Sequence, residues 1–569
     1  MAQKYGSRRC TKVGFKTCRD CHLVLVCYRS AFPFALDLSL TTLGSTVAKY
    51  VKSPIGQYIK SWRPSWDTED RVPTFIDNQI LEGPFVLHDF GGTKTFWGRV
   101  PAIDLLQLKD NEGRAISQDL VLLLAGCGDL RSLIKTINAL PEAYTGCLDV
   151  DLNDKEEMVV ARNVILLLVA LNFPPNEASV LMLHLWYSAF LPKDLLQSVQ
   201  TKIVPLLQGL LTLEREEPTS ISRRTFSFHG VTLTAFLPGS FWEKILSDFA
   251  RCFSTPFSEA AALRQSVTMA AHRQDYVDRA LFRLPPPWRL AHMRFREDGL
   301  LLPFGASRDE FNIPNPLFFQ TTESWPMPDS ADPLDGWKLA EILQSSYGAT
   351  NDIHGQLYLH VLGFLREFCE KLPGLKLTIS LLNMDAFDLP TNLGMFYGKE
   401  RAYDRIDLAS VAKTGPQLAE ALDSFGPLLQ SKTQNPRATV LTMFPDIALR
   451  MRTFADQKNW LSRKTVTVQQ FLSLDSADLS HGCYKADYLN FLSAHDLFLN
   501  RNAIFNRFIQ SARLAQIATS VGLEMKPKHT VIAKWPLRLP KSPTKHDFEM
   551  LHWSSHHGSE RYIEWQRAR

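Results

Sequence analysis

The feature that most constrains this chain is one stretch where an apolar run meets a glycine turn and then a helical repeat. Val121-Leu122-Leu123-Leu124-Ala125 is short and continuously apolar, the pattern of a strand covered on both faces in a parallel sheet. Gly126-Cys127-Gly128 turns the chain. Leu130, Leu133, Ile134, Ile137 and Leu140 then recur at helical spacing, with Asp129 placed to cap the helix. A second unit follows, in which Cys147–Leu152 reads as a strand and Asp154 with Glu157 as a capping box for a helix through Val164–Leu171. Two such units in tandem predict a right-handed, doubly wound α/β sheet.

The remainder is organised around that sheet. Residues 1–51 form a cysteine-bearing head, and residues 52–116 are a strap rich in Pro, Trp and Gly with little regular structure. The first half of the sheet domain is expected over 117–215. Residues 176–215 and 240–285 look helical, and the prolines of 286–335 predict loops, so 216–400 is expected to be a helical and loop insertion. Strand signals return at Leu375–Leu382, Tyr403–Leu408 and Ala438–Phe444, with a helix expected at Pro416–Leu429. The second half of the sheet domain and a tail are therefore expected over 401–569. The expected fold class is α/β: a Rossmann-like sheet with a large, mainly helical insertion, preceded by a degenerate zinc-finger head.

Composition excludes several classes. A chain of 569 residues with 45% hydrophobic content can build packed cores and is not mostly disordered. Lys and Arg total 63 against 59 Asp and Glu, a net charge of +4, which does not indicate a nucleic-acid binder. Val164–Leu171 is too short to span a bilayer and Val180–Leu191 carries His184, so no membrane segment is expected. The polar start Met1-Ala2-Gln3-Lys4 is not a secretory signal, which points to the cytoplasm, with the nucleus open.

The glycine turn is the candidate binding feature. Glycines between a buried strand and a helix N-terminus let a nucleotide-like ligand approach the backbone. Gly126, Gly128 and Asp129 would line a cofactor, and Asp151, 23 residues after Gly128, would hold ribose hydroxyls. The turn resembles the first motif of S-adenosylmethionine-dependent methyltransferases, and Val150-Asp151-Leu152-Asn153 resembles their second. It departs from that pattern at Leu124, which replaces an acidic residue, and at Leu130, which replaces the third glycine. The plainer alternative is a tight turn at Gly126 and Gly128, with Asp129 and Asp154 only capping helices. No nucleophile constellation is recognisable, and no Asn/Asp-Pro-Pro-Tyr motif follows Tyr403–Leu408, so no catalytic residue is assigned. His552, His556 and His557 share helical spacing and read as surface histidines.

The head carries Cys10, Cys18, Cys21 and Cys27, and the Cys18-x2-Cys21 pair pre-places two thiolates for tetrahedral zinc. Cys18 to Cys27 resembles the middle of a MYND-type zinc finger. Ser7 and Ala31 stand at two of the finger's cysteine positions, and Tyr28–Val51 reads as intronic sequence that replaced its second half. The expected zinc site is therefore incomplete.

These pieces are followed by Trp62-Arg63-Pro64-Ser65-Trp66, Phe96-Trp97-Gly98-Arg99, Ala161-Arg162-Asn163, His184-Leu185-Trp186-Tyr187-Ser188, Tyr403-Asp404-Arg405-Ile406-Asp407 and Glu560-Arg561-Tyr562-Ile563-Glu564-Trp565. In that order the chain resembles fungal MYND-type zinc finger proteins of unknown function that carry the N-terminal domain shared with axonemal dynein assembly factors. The resemblance implies a methyltransferase-like domain and a head that recruits proteins, in particular proline-containing peptides. It favours a non-enzymatic protein-interaction or assembly factor. The alternative is an S-adenosylmethionine-dependent methyltransferase of unknown substrate.

Overall fold

The computed structural model describes residues 16–17, 23, 25–26, 62–76, 89–113, 117–211, 221–321, 323–345, 348–398, 401–412, 414–453, 455–456, 465–472, 474, 484–555 and 558–568. The chain first enters the sheet at β1 (Leu120–Ala125), buried except at Val121. Helix α1 (Arg131–Asn138) buries Leu133, Ile134 and Ile137, the positions the helical repeat picks out. Strand β2 (Cys147–Asp154) pairs in parallel with β1, placing Leu122 opposite Val150 and Ala125 opposite Asn153. Helix α2 (Glu157–Asn172) buries every side chain from Met158 to Ala170. An apolar circumference of that kind belongs to an internal helix rather than a surface one. Helix α3 (Pro175–Tyr187) starts on a proline, whose missing N–H costs nothing in a first turn.

The hairpin β3 (Ile221–Phe228) and β4 (Val231–Pro238) follows, then helices α4 (Gly239–Arg251), α5 (Phe257–Thr268), α6 (Pro286–Asp298) and α7 (Ile353–Lys371). The chain returns through β5 (Lys376–Asn383), α8 (Leu389–Tyr397), β6 (Arg405–Asp407), α9 (Gly415–Phe425) and β7 (Thr439–Phe444). The last strands are β8 (Leu523–Met525) and β9 (Arg561–Arg567). Together they form one nine-stranded sheet in the order β8-β9-β7-β6-β1-β2-β5-β4-β3. All pairings from β7 to β4 are parallel, and β9 and β3 run antiparallel to their neighbours. The molecule is thus mixed α/β with a parallel-dominated sheet.

The first strand lies between β2 and β6. From it the chain passes to β2, out to the edge hairpin β3–β4, back to β5 between them, and then to β6 and β7 on the other side. The direction reverses between β1 and β6, and in open parallel sheets the carboxyl ends of the strands at such a point are where ligands bind.

Three expectations need correction. Residues 216–400 are not only helices and loops, because β3 and β4 extend the sheet beyond β5. Within 286–335, Pro286–Asp298 is a helix, since prolines in a first helical turn start a helix instead of breaking one. Asp154 and Glu157 form no capping box: α2 begins after Glu156, whose side chain makes no capping bond, and Asp154 belongs to β2. The described parts of the strap have little regular structure, a four-residue helix at Ser65–Thr68 and a short turn at Leu108–Asp110. Among the described residues no helix is long and apolar enough to cross a membrane.

Candidate functional site

The turn after β1 stands at the carboxyl end of the strand, where the sheet order reverses. Gly126 and Gly128 both adopt φ of +63°, a left-handed conformation in which a side chain would be strained. Cys127 N donates to Asn153 O at 2.8 Å, so the turn stays fastened to the end of β2. Gly128 N donates to Asp154 Oδ2 at 3.0 Å, and Asn163 Nδ2 of α2 reaches Gly128 O at 3.4 Å. A Cβ added to Gly126 would stand 3.2 Å from Cβ of Ser410, so the loop after β6 covers that glycine. A Cβ added to Gly128 would meet nothing within 4 Å.

Asp129 is not the expected helix cap, since Leu130 holds the N-cap position of α1 and no side chain caps it. Asp129 Oδ1 accepts from Arg131 N at 3.0 Å, while Oδ2 accepts from Gly98 N at 2.7 Å and Arg131 Nε at 2.8 Å. Arg131 continues to Gly336 O. The aspartate therefore ties the strap to the turn, and its oxygens are spent inside the protein.

Asp151 lies within β2 and is 0% exposed. Its oxygens accept from Tyr397 Oη at 2.6 Å, Tyr403 Oη at 2.7 Å and Arg401 Nη2 at 3.2 Å, and the Arg401 guanidinium forms an ion pair with it. Burial raises its carboxyl above the usual range, opposed by Arg401 and the two tyrosines. With no exposed face, it is not where a ribose would be held. The strand-end carboxylate is Asp154, opposite Asn383 of β5, which accepts from Gly128 N and Glu156 N. Sequence offset alone does not separate them, since Asp151 and Asp154 lie 23 and 26 residues past Gly128.

A carboxyl group the sequence did not single out stands on the other side of the turn. Asp407 ends β6 opposite Leu124, accepts from Ala409 N at 2.9 Å, and is pushed up to about 6 by burial. Asp154, Asp129 and Asp407, together with burial as the first cause, raise the Cys127 thiol well above its ordinary value, which makes it inert as a nucleophile. The signal for Asp407 was its position at the end of a predicted strand beside β1. Chemically, the edge offers two flanking carboxyl groups and a glycine turn with open space at Gly128. It holds no nucleophile and no cation aimed at a ligand among the described residues named for it.

Cys10, Cys18, Cys21 and Cys27 lie outside the described residues, so the zinc expectation stays on sequence alone. His552 is not a surface histidine: it is buried, stacked on Phe548 at 5.1 Å, and held down to about 3 by desolvation. His556 and His557 lie outside the described residues.

Fold and site together define an α/β protein whose glycine turn sits at the reversal point of a parallel sheet. A family described as a domain of unknown function (DUF4470) matches residues 96–191, the stretch from the strap through α3. Dynein axonemal assembly factor 3 of Danio rerio is 38% identical over 89 residues, which is 16% of this chain and 18% of that relative's length. The chain thus spans under a fifth of the length of the curated relative it matches. No solved structure matches the chain.

Proposed function

We propose that this chain is a non-enzymatic protein-interaction or assembly factor on a Rossmann-like, methyltransferase-like scaffold, with a relict MYND-type zinc-binding head. The observation that carries the reading is internal saturation: the polar groups a cofactor would use are bonded within the protein. Asp129 holds Gly98 and Arg131, Asp151 holds two tyrosines and Arg401, and Asp154 holds Gly128 N. A ligand would have to replace bonds already made, which costs binding energy for each group left unpaired. The scaffold reading is supported by the parallel order β5-β2-β1-β6-β7, in which the direction reverses beside β1 as in doubly wound nucleotide-binding sheets, with the hairpin β3–β4 inserted between β2 and β5 in the chain. The assembly role is supported by the likeness to dynein axonemal assembly factor 3, carried over from a match covering 18% of that protein. The partners are proteins, with proline-containing peptides as candidates for the head, in the cytoplasm or nucleus of a fungal cell.

A second reading, an S-adenosylmethionine-dependent methyltransferase, is favoured by the space beside Gly128 and by Asp154 and Asp407 flanking the turn. Methyl transfer needs positioning more than acid–base chemistry, so the lack of a catalytic motif does not count against it. Calorimetry of the full chain with S-adenosylmethionine decides between the two. The first reading expects no heat of binding up to millimolar ligand. Micromolar binding that Gly128→Trp abolishes overturns it in favour of the enzyme.

A further inference from the structure

A cavity of about 170 Å³ lies away from the glycine turn, between α6, the 329–342 segment and residues 553–555. His292 and Asp332 line it. His292 Nδ1 stands 3.0 Å from Asp332 Oδ2, and Leu334 N donates to Asp332 Oδ1 at 2.9 Å, which leaves Oδ2 as the directed oxygen. His354, second residue of α7, completes the group with its ring centroid 4.9 Å from that of His292. One ligand atom from each of the three residues lies within 4.8 Å of the others.

His354 is the telling member. It is 3% exposed, and neither ring nitrogen has a hydrogen-bond partner. A buried imidazole always carries one N–H donor and one lone pair, and leaving such groups unmatched costs about 1–3 kcal/mol each. Buried unsatisfied groups in folded proteins point to water, an ion or a function. The ring is also held: it stacks parallel on Phe295 at 5.4 Å, and the Asp352 carboxylate at the head of α7 accepts from Gly355 N. Its position is therefore set by packing, and its nitrogens are left over.

We propose that His292, Asp332 and His354 bind a divalent transition-metal ion in the wall of this cavity. Two imidazoles and one carboxylate suit zinc or ferrous iron, and three protein ligands leave a coordination position open. Ligand atoms on a tetrahedral ion are about 3.3 Å apart given metal–ligand bonds near 2.0–2.1 Å. The His292–Asp332 pair at 3.0 Å already meets this, and small side-chain rotations bring in His354. The Leu334 N–H fixes the carboxylate from behind, as outer partners of metal ligands do. Two neutral imidazoles and one carboxylate leave a net positive charge on a divalent ion, and Arg283 lines the same cavity. The open position therefore favours water, hydroxide or an oxyanion.

The test is metal content of the full chain, purified and equilibrated with zinc, iron(II) or cobalt(II) under reducing conditions. His354→Phe, which keeps the stack on Phe295, and Asp332→Asn are each expected to lose one equivalent per chain. The cobalt difference spectrum, parent minus variant, should show nitrogen and oxygen ligation without a thiolate charge-transfer band. That band would mark metal on the head cysteines instead. Should His354→Phe fail to fold, His292→Gln at the cavity wall reads the same equivalent. Folded variants that retain the parent's metal content overturn the proposal, as does a parent whose bound cobalt is entirely thiolate-ligated.

Discussion

Asp407 shows how much one carboxyl group can report about its surroundings. Burial is the main cause that lifts it from 3.8 to about 6, and the hydrogen bond from Ala409 N only partly opposes this. Between those two pH values the folded chain holds a proton that the unfolded chain has released. Stability therefore falls as pH rises through that window, and above it the full cost of the buried charge is felt. Asp407→Asn keeps an acceptor for Ala409 N and removes the charge. It should stabilise the protein by about 1–2 kcal/mol near neutral pH, after allowance for partial solvent access, and by nearly nothing near pH 4. Urea midpoints of both proteins at the two pH values check this, and an equal shift at both would remove the electrostatic explanation. At the same scale, Asp151 and Asp154 show where sequence reading stops. The apolar pattern marks Leu148, Val150 and Leu152 and ends there. The ladder with β5 runs two residues further, through Asn153 and Asp154. Which aspartate stands at the strand's end depends on that pairing, and no periodicity encodes it.

Elements were legible where burial left a regular trace. Strand β1 reads as an unbroken apolar run, and β5 and β7 are mainly apolar, interrupted by hydroxyl residues such as Ser380 and Thr442 that are buried with them. The β3–β4 hairpin carried a different signal. Its residues alternate around His229-Gly230, both at positive φ of 34° and 90°. The surrounding helical segments dominated the expectation for that region. Nothing local reveals how the strap is anchored, because its partners are remote. Trp97 stacks on Tyr187 at 5.6 Å, Tyr187 Oη accepts from Trp337 Nε1 at 3.2 Å, and Arg131 lies 5.6 Å over the Trp337 ring while bonding Gly336 O. Gly336 has φ of +81°, and a Cβ there would run into the Arg131 guanidinium. Gly336→Ala should therefore cost about 2–4 kcal/mol, combining backbone strain with displacement of a buried cation. Combined with Arg131→Met, which relieves the clash with the guanidinium but not the one with the Gly98 carbonyl, the costs should add to less than their sum. Chemical denaturation of the two single variants and the double variant measures the coupling. Strict additivity would mean the glycine does not act through the arginine.

At the scale of the whole molecule, the sheet is closed by residues far apart in sequence. Strand β9 lies between β7 and β8, pairing Val440 with Trp565 and Leu523 with Arg567. It was not legible as a strand because Arg561, Glu564 and Arg567 interrupt its apolar positions. The structure shows why the charge is tolerated. Glu564 is 0% exposed and accepts from the backbone N–H groups of Thr530, Val531 and Ile532, with Lys526 Nζ 3.5 Å away. A carboxylate fully hydrogen-bonded in this way orders the 526–532 loop, where an apolar residue would leave three N–H groups unmatched. Tyr562, Ile563 and Trp565 are each no more than 2% exposed. Losing one large buried side chain costs about 2–5 kcal/mol, and whole-domain stability is about 5–15 kcal/mol. A chain shortened to residues 1–558 thus forfeits more than its margin. It also exposes the β7 edge and leaves β8 without its neighbour in the sheet. The shortened chain should aggregate on expression and show no cooperative urea transition. Limited proteolysis should cut first between residues 484 and 555, which pack around that edge. A soluble, cooperatively unfolding 1–558 chain would show that the remaining strands are stable without β9.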